Sequence, residues 1–376
     1  MVSRESSLDV AGLVRLRPPN RFRRLAVLLT CVALAWSATV FADEIRNLSR
    51  GLVREGGRLV VADQSGAVSV NLEGWQPVPN PPAGLIVLVR SSATGGELRL
   101  LDRRGRSLGT VEVPEGWTGF ATEAGVILVP QALHAPRRPH RLKFLSHAGE
   151  VRAEVQEELA LVGWTVGPDG GVATVSLAPG DGTAWMILGY DRNGAQIWRY
   201  EIKTTPPPEA LLTAGGQLVV LERDLDLRIS TVTLLAKGRA PKSHRLWNVT
   251  QMVADPDSSR VAVVGQEIVA LFDARTRRLL WRRDKPLDFV LNGGLRFDHR
   301  TSRLLVVDAQ RDRPAGKARL ELRSYRLSDG DEERAGLGTS PLGELPSVVD
   351  VETPPEGGRR VLLHDRAVTA VPEGTQ

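Results

Sequence analysis

The chain has 376 residues, of which 42% are apolar and 25% charged, with 49 basic residues against 44 acidic ones and a single cysteine. One cysteine excludes an internal disulfide framework and any thiolate metal cluster.

Residues 1–42 are expected to be a targeting segment. Arg15, Arg17, Arg21, Arg23 and Arg24 form a basic stretch, and the run Leu25 to Ala42 is apolar apart from Thr30, Ser37 and Thr39. It ends on Val40-Phe41-Ala42 and turns acidic at Asp43-Glu44. Small residues before an abrupt change of polarity are what a signal peptidase accepts, so the expectation is a signal peptide cleaved after Ala42. A retained N-terminal membrane anchor is the alternative, since about 18 apolar residues reach the short end of a spanning helix. Cys31 lies inside the apolar run, where a lipidated cysteine would end it, and Arg23-Arg24 lacks the neighbours of a twin-arginine signal. The leader holds six of the basic and two of the acidic residues, so residues 43–376 carry 43 basic and 42 acidic groups. A net charge this small provides no field to collect nucleic acid or an anionic membrane surface. The expected location is therefore periplasmic or extracellular, with membrane contact only through an uncleaved N-terminal segment. With Cys31 in the leader, the mature chain has no cysteine.

Residues 43–376 read as one domain of short strands. Arg58–Ala62 is the first, and it precedes a recurring run of about five apolar residues set off by Gly, Ser-Arg or Gly-Arg. Those runs begin near Leu85, Val126, Val172, Leu218, Val261, Leu304 and Val361, at intervals of 41, 46, 46, 43, 43 and 57 residues. A repeat of about 40–50 residues with strand rather than helix periodicity is the size of a four-stranded propeller blade. In the unit at 251–285, the turn Asp255–Ser259 leads into strands at Arg260–Val264, Ile268–Phe272 and Arg278–Arg283. In the next, Phe289–Phe297, Arg303–Asp308 and Ala318–Leu327 are strands, followed by a charged outer strand from Glu332. The last unit has strands at Ser347–Val351, Arg359–Leu363 and Ala367–Val371 and stops one short. An all-β propeller of about seven four-stranded blades follows, with six and eight as alternatives. Arg58–Ala62, spare at one end, is expected to pair with the unit ending at Val371 and close the ring.

Ala270–Trp281 carries the most specific pattern: Asp273 opens a tight turn, Thr276 follows within it, and Trp281 comes eight residues after the Asp. A shortened form runs from Asp191 to Trp198, and Leu101–Gly105 keeps only the turn. This pattern resembles the repeat of quinoprotein-like (PQQ-like) β-propellers, a WD40-like architecture, with Arg277 where those repeats have glycine. The resemblance implies a propeller in which Asp caps the turn and Trp packs on the neighbouring blade. It implies for the function either a non-catalytic scaffold of the bacterial envelope or a dehydrogenase holding the quinone PQQ and calcium in the central channel. The vicinal cysteine pair found in many of those dehydrogenases has no counterpart here.

No catalytic, cofactor-binding or metal-ligating residue is singled out. His134, His140, His147, His244, His299 and His364 show neither His-x-His nor His-Glu-x-x-His spacing. His134, His140 and His147 sit among Arg137, Arg138, Arg141 and Lys143, an anion-binding loop or a solvated one. Asp224/Asp226, Asp255/Asp257 and Asp329/Asp331 offer oxygen ligands to calcium, but aspartate is also an ordinary turn residue. No Gly-x-Ser-x-Gly elbow is present. Trp75, Trp117, Trp164, Trp185, Trp198, Trp247 and Trp281 are spread along the units as packing residues would be, not clustered as a sugar platform. The expected function is a non-catalytic envelope propeller that binds a protein partner, with no cofactor. A channel-site enzyme or ligand binder of quinoprotein type is the alternative.

Overall fold

A computed structural model describes residues 46–372 apart from 48–51, 56–57, 64–65, 79–84, 93–94, 103, 131–139, 180–183, 285–286, 299–300, 347, 353–358 and 364–366. The expected signal peptide, 1–42, lies outside the described residues. Within them the chain is built from consecutive antiparallel sheets. Units 1 to 6 are four-stranded and span residues 46–71, 76–114, 117–157, 161–203, 209–247 and 249–284. Unit 7 (290–341) has four strands and continues into the three strands of unit 8 (348–372) as one seven-stranded sheet. The seven expected units correspond to units 2 to 8, the last of them three-stranded, and unit 1 is an additional one that the repeat did not show; the fold is an all-β propeller.

The second strand of each blade explains why the sheets stack. Leu218 and Val220 pack into unit 4, while Val219 and Leu221 pack into unit 6. Val261 and Val263 face unit 5, whereas Ala262 and Val264 face unit 7. Leu304 and Val306 go back to unit 6, and Leu305 and Val307 go forward to unit 8. Side chains alternate along a strand, so a strand sandwiched between two neighbours must be apolar at every position. That is the run of five seen in the sequence. Seven apolar clusters result, one between each successive pair of units. Each fully buried Val or Leu adds roughly 1.5–3 kcal/mol.

The repeat motif has the physical role expected of it. The carboxylate of Asp273 accepts from the amides of Arg275 (2.9 Å) and Thr276 (3.2 Å). Asp191 caps its turn in the same way through Asn193 and Ala195, and Asp102 through Arg104 and Arg106. Arg277 stands in the left-handed position at φ 57° that glycine would occupy. Trp281 is buried, donates its indole N–H to the Leu327 carbonyl of unit 7 at 3.1 Å and stacks on Tyr325. Trp198 makes the equivalent tie to Gly216 of unit 5, at 2.7 Å.

The expected closure of the ring is corrected. Arg58–Asp63 is not a spare strand: it pairs with Leu52–Glu55 on one side and Gly66–Asn71 on the other. Both its edges are occupied, so it cannot complete the last unit. The flanking strand Leu52–Glu55 was hidden because it holds only two apolar residues, Leu52-Val53, before the charged Arg54-Glu55. The last strand, Ala367–Pro372, instead meets unit 7, through Ala335 opposite Pro372 and Gly336 opposite Val371. The final interval of 57 residues also has a cause. Unit 7 has three ten-residue strands, Arg303–Asp312, Lys317–Arg326 and Glu332–Pro341, and a 3-10 turn follows.

Candidate recognition site

In an antiparallel meander the first strand starts at the end where the second finishes, the third begins and the fourth finishes. On units 5 to 7 this entry face carries four large exposed apolar side chains. Leu225 (67% exposed) and Leu227 (61%) lie in the turn between the second and third strands of unit 5, and Trp247 (43%) ends its fourth strand. Phe289 (44%) immediately precedes the first strand of unit 7. Hydrogen bonds between residues beside them link the three units along this face. The Asn248 amide donates to the Arg228 carbonyl (2.8 Å), the Asn248 side chain to Gln266 Oε1 (3.0 Å), and the Leu287 amide to the Gln266 carbonyl (2.6 Å). Arg223 locks unit 5 to unit 6 by donating to the carbonyls of Val249 (2.9 Å) and Thr250 (3.1 Å), while pairing with Glu209.

Between units 6 and 7 this face opens into a cavity of about 270 Å³, lined by Thr250, Gln251, Gly265, Gln266, Leu287, Asp288, Phe289, Val290 and Asn292. One wall is a bulge in the first strand of unit 7. Val290 sits opposite Asp308 and Leu295 opposite Val306, so Leu291–Gly294 face a single partner residue, Val307. Gly293 makes the bulge feasible: its φ is +73°, and a Cβ there would stand 2.4 Å from the Val348 carbonyl oxygen. Bulges of this kind commonly re-aim side chains at binding sites. Gln251 braces it by donating to the Val290 carbonyl at 3.0 Å.

Behind the wall lies a buried charge network on the face of unit 7 that packs on unit 6. Asp308, Glu321 and Arg323 are at most 2% exposed. Arg323 Nη2 donates to Asp308 (3.0 Å) and lies 3.4 Å from Glu321, with Nη1 3.6 Å from Glu332. Asp308 also accepts from Gln310 and from the amides of Asp288 (3.2 Å) and Phe289 (3.0 Å), which fixes the two cavity-lining residues. Burial pushes the Asp308 carboxyl upward, and Arg323, the Phe289 amide and the Gln310 side chain oppose it. Arg311 holds Asp288 through two guanidinium contacts and its own amide, keeping that carboxyl below the usual range. The Arg311 guanidinium stands 5.6 Å from the Phe289 ring centre. The one charged residue lining the cavity, Asp288, is therefore spent on Arg311.

A second buried polar cluster joins units 3 and 4. Glu157 accepts from Thr174 at 2.6 Å and Ser176 at 3.3 Å, and burial pushes its carboxyl up, against the pull of those hydroxyls and of Tyr190. His140, directly opposite Glu157 in the sheet, is 4% exposed and its Nε2 has no hydrogen bond.

The residues weighed in the sequence are not brought together. His140 is buried, His147 bonds the Thr122 carbonyl, and His244 rests on the Phe272 ring; His134, His299 and His364 lie outside the described residues, as do Arg137 and Arg138. Asp224, Asp255 and Asp329 each accept a backbone amide of their own turn. Among the described residues no three His, Cys, Asp or Glu converge as metal ligands. Trp185, Trp198 and Trp281 use their indole N–H groups for tertiary bonds. Trp247 is the exception, half exposed on the rim. The cavity residues were not anticipated. Their signal was Asn292-Gly293-Gly294 interrupting an apolar strand, the mark of a bulge.

No family model matches the chain, and no curated protein does. Among solved structures, a eukaryotic initiation factor is similar at 10% identity and TM-score 0.47, over 88% of this chain and 86% of its own. Kluyveromyces lactis Hsv2 is similar at 12% and 0.46, over 76% and 89%. A streptogramin B lyase is similar at 12% and 0.39, over 79% and 93%. Identities and scores this low transfer no activity. Among the described residues, no helix is long and apolar enough to cross a membrane.

Proposed function

We propose that the chain is a non-catalytic β-propeller scaffold, exported after loss of residues 1–42, that presents the entry face of units 5 to 7 to a protein partner in the cell envelope. The observation that carries this reading is the apolar rim of Leu225, Leu227, Trp247 and Phe289 beside a cavity whose charged groups are all paired. Exposed apolar side chains gathered on one rim mark an interaction surface, whereas catalysis needs a reactive group with a positioned partner. The test is site-specific photo-crosslinking in cells from position 247, with position 280 on the opposite end of unit 6 as control. A discrete adduct from 247 alone supports the reading. Equal or absent adducts at both positions overturn it.

A quinoprotein-type channel site is the second reading, favoured by the capped turns and Trp ties of units 4 and 6. Titration of the purified chain with PQQ and calcium decides it. A stoichiometric chromophore shift with a raised melting temperature would replace the scaffold reading.

A further inference from the structure

We infer that the cavity between units 6 and 7 receives one large uncharged side chain of an extended peptide segment, whose backbone is bonded by the side-chain amides around it. This rests on the scaffold reading and specifies its partner chemistry. Four observations lead to it.

The first is size. Pockets for drug-sized molecules run from about 300 to 1,000 Å³, so about 270 Å³ suits a single aromatic or large aliphatic side chain. The second is charge. Asp288 and Arg311 neutralise each other, so the complement of this wall is a neutral group; an ion would be desolvated without a counter-charge. The third is hydrogen-bonding capacity. Gln251 spends its amide N–H on Val290 and keeps Oε1; Gln266 spends Oε1 on Asn248 and keeps its N–H₂; Asn292 is exposed with both groups open. An acceptor, a donor and one group offering both match the alternating N–H and C=O of a peptide. The fourth is extent. The apolar rim continues from the cavity through Trp247 to Leu227 and Leu225, linked by the bonds at Asn248 and Gln266, so the occupant is longer than its anchor.

The probe is a displayed library of 12-residue peptides panned on the full chain. Enriched peptides should share one aromatic or large aliphatic residue. Their affinity, read by fluorescence anisotropy, should fall at least tenfold in Asn292→Ala and in Phe289→Ser, and be unchanged in Leu280→Ala. Asn292 and Phe289 are exposed, so both variants should melt with the wild type. A library that enriches nothing, or peptides that bind these variants equally, overturns the inference. So does stoichiometric binding on a glycan array that Asn292→Ala abolishes, since the occupant would then be a saccharide. The two readings are separable: a position-247 adduct that persists in the Asn292→Ala, Phe289→Ser double variant keeps the scaffold and overturns the peptide anchor.

Discussion

Removing the Asp308 carboxylate tests the link between the buried charges and the cavity wall. In Asp308→Ala, Arg323 remains 2% exposed and loses its 3.0 Å partner, while the amides of Asp288 and Phe289 lose their acceptor. Stripping one partner from a buried ion pair costs about 3–5 kcal/mol. Glu321 and Glu332 stay within 3.4 and 3.6 Å of the guanidinium and soften the loss, so the lower end, about 3 kcal/mol, is expected. With an m-value of about 3 kcal/mol/M, the urea midpoint should drop by about 1 M. Arg323→Met in the same chain removes the stranded charge. Since apolar replacement of a whole buried pair is often neutral, the double variant should recover much of the loss. Circular dichroism in urea on the four proteins of the cycle makes the measurement. A single-variant loss below about 1 kcal/mol, or a double variant as unstable as the sum of the singles, would refute the reasoning.

Trp281→Ala should cost about 3–5 kcal/mol by the same urea assay, through the cavity left between units 6 and 7, and Trp281→Phe distinctly less, because it loses chiefly the bond to Leu327. Glu157→Gln tests the raised carboxyl of the units 3–4 cluster. The folded state favours the protonated acid, so the wild type is most stable below the ordinary glutamate range and loses stability as pH rises through the folded value. The variant should be the more stable protein at pH 8, and its advantage should shrink towards pH 4 in thermal melts; an advantage that grows on acidification would contradict this. Arg277→Gly should melt within about 1 kcal/mol of wild type, since relief of a left-handed residue, worth roughly 1–2 kcal/mol, offsets the lost bond to the Ala240 carbonyl.

Blade architecture was legible in the sequence because it is local. Second strands such as Leu218–Leu221 and Val261–Val264 are packed on both faces, so every position must be apolar, and a one-dimensional pattern records that demand. The Asp-capped turns at Asp102, Asp191 and Asp273 were legible for the same reason, since the carboxylate bonds amides two to four residues away. The pairing of Arg58–Asp63 was not, because two strands as short as Arg46–Asn47 and Leu52–Glu55 leave too few residues for a period to show. The recognition site was hidden for a different reason. Gln251, Gln266, Asp288 and Asn292 are ordinary polar residues of separate strands and connections, and they line one cavity only because unit 6 stacks on unit 7. Likewise nothing in the sequence links Asp308, at the end of a strand expected to be buried, with Glu321 and Arg323 of the next strand; only the tertiary structure decides that all three are buried on one face with Arg323 between the two carboxylates.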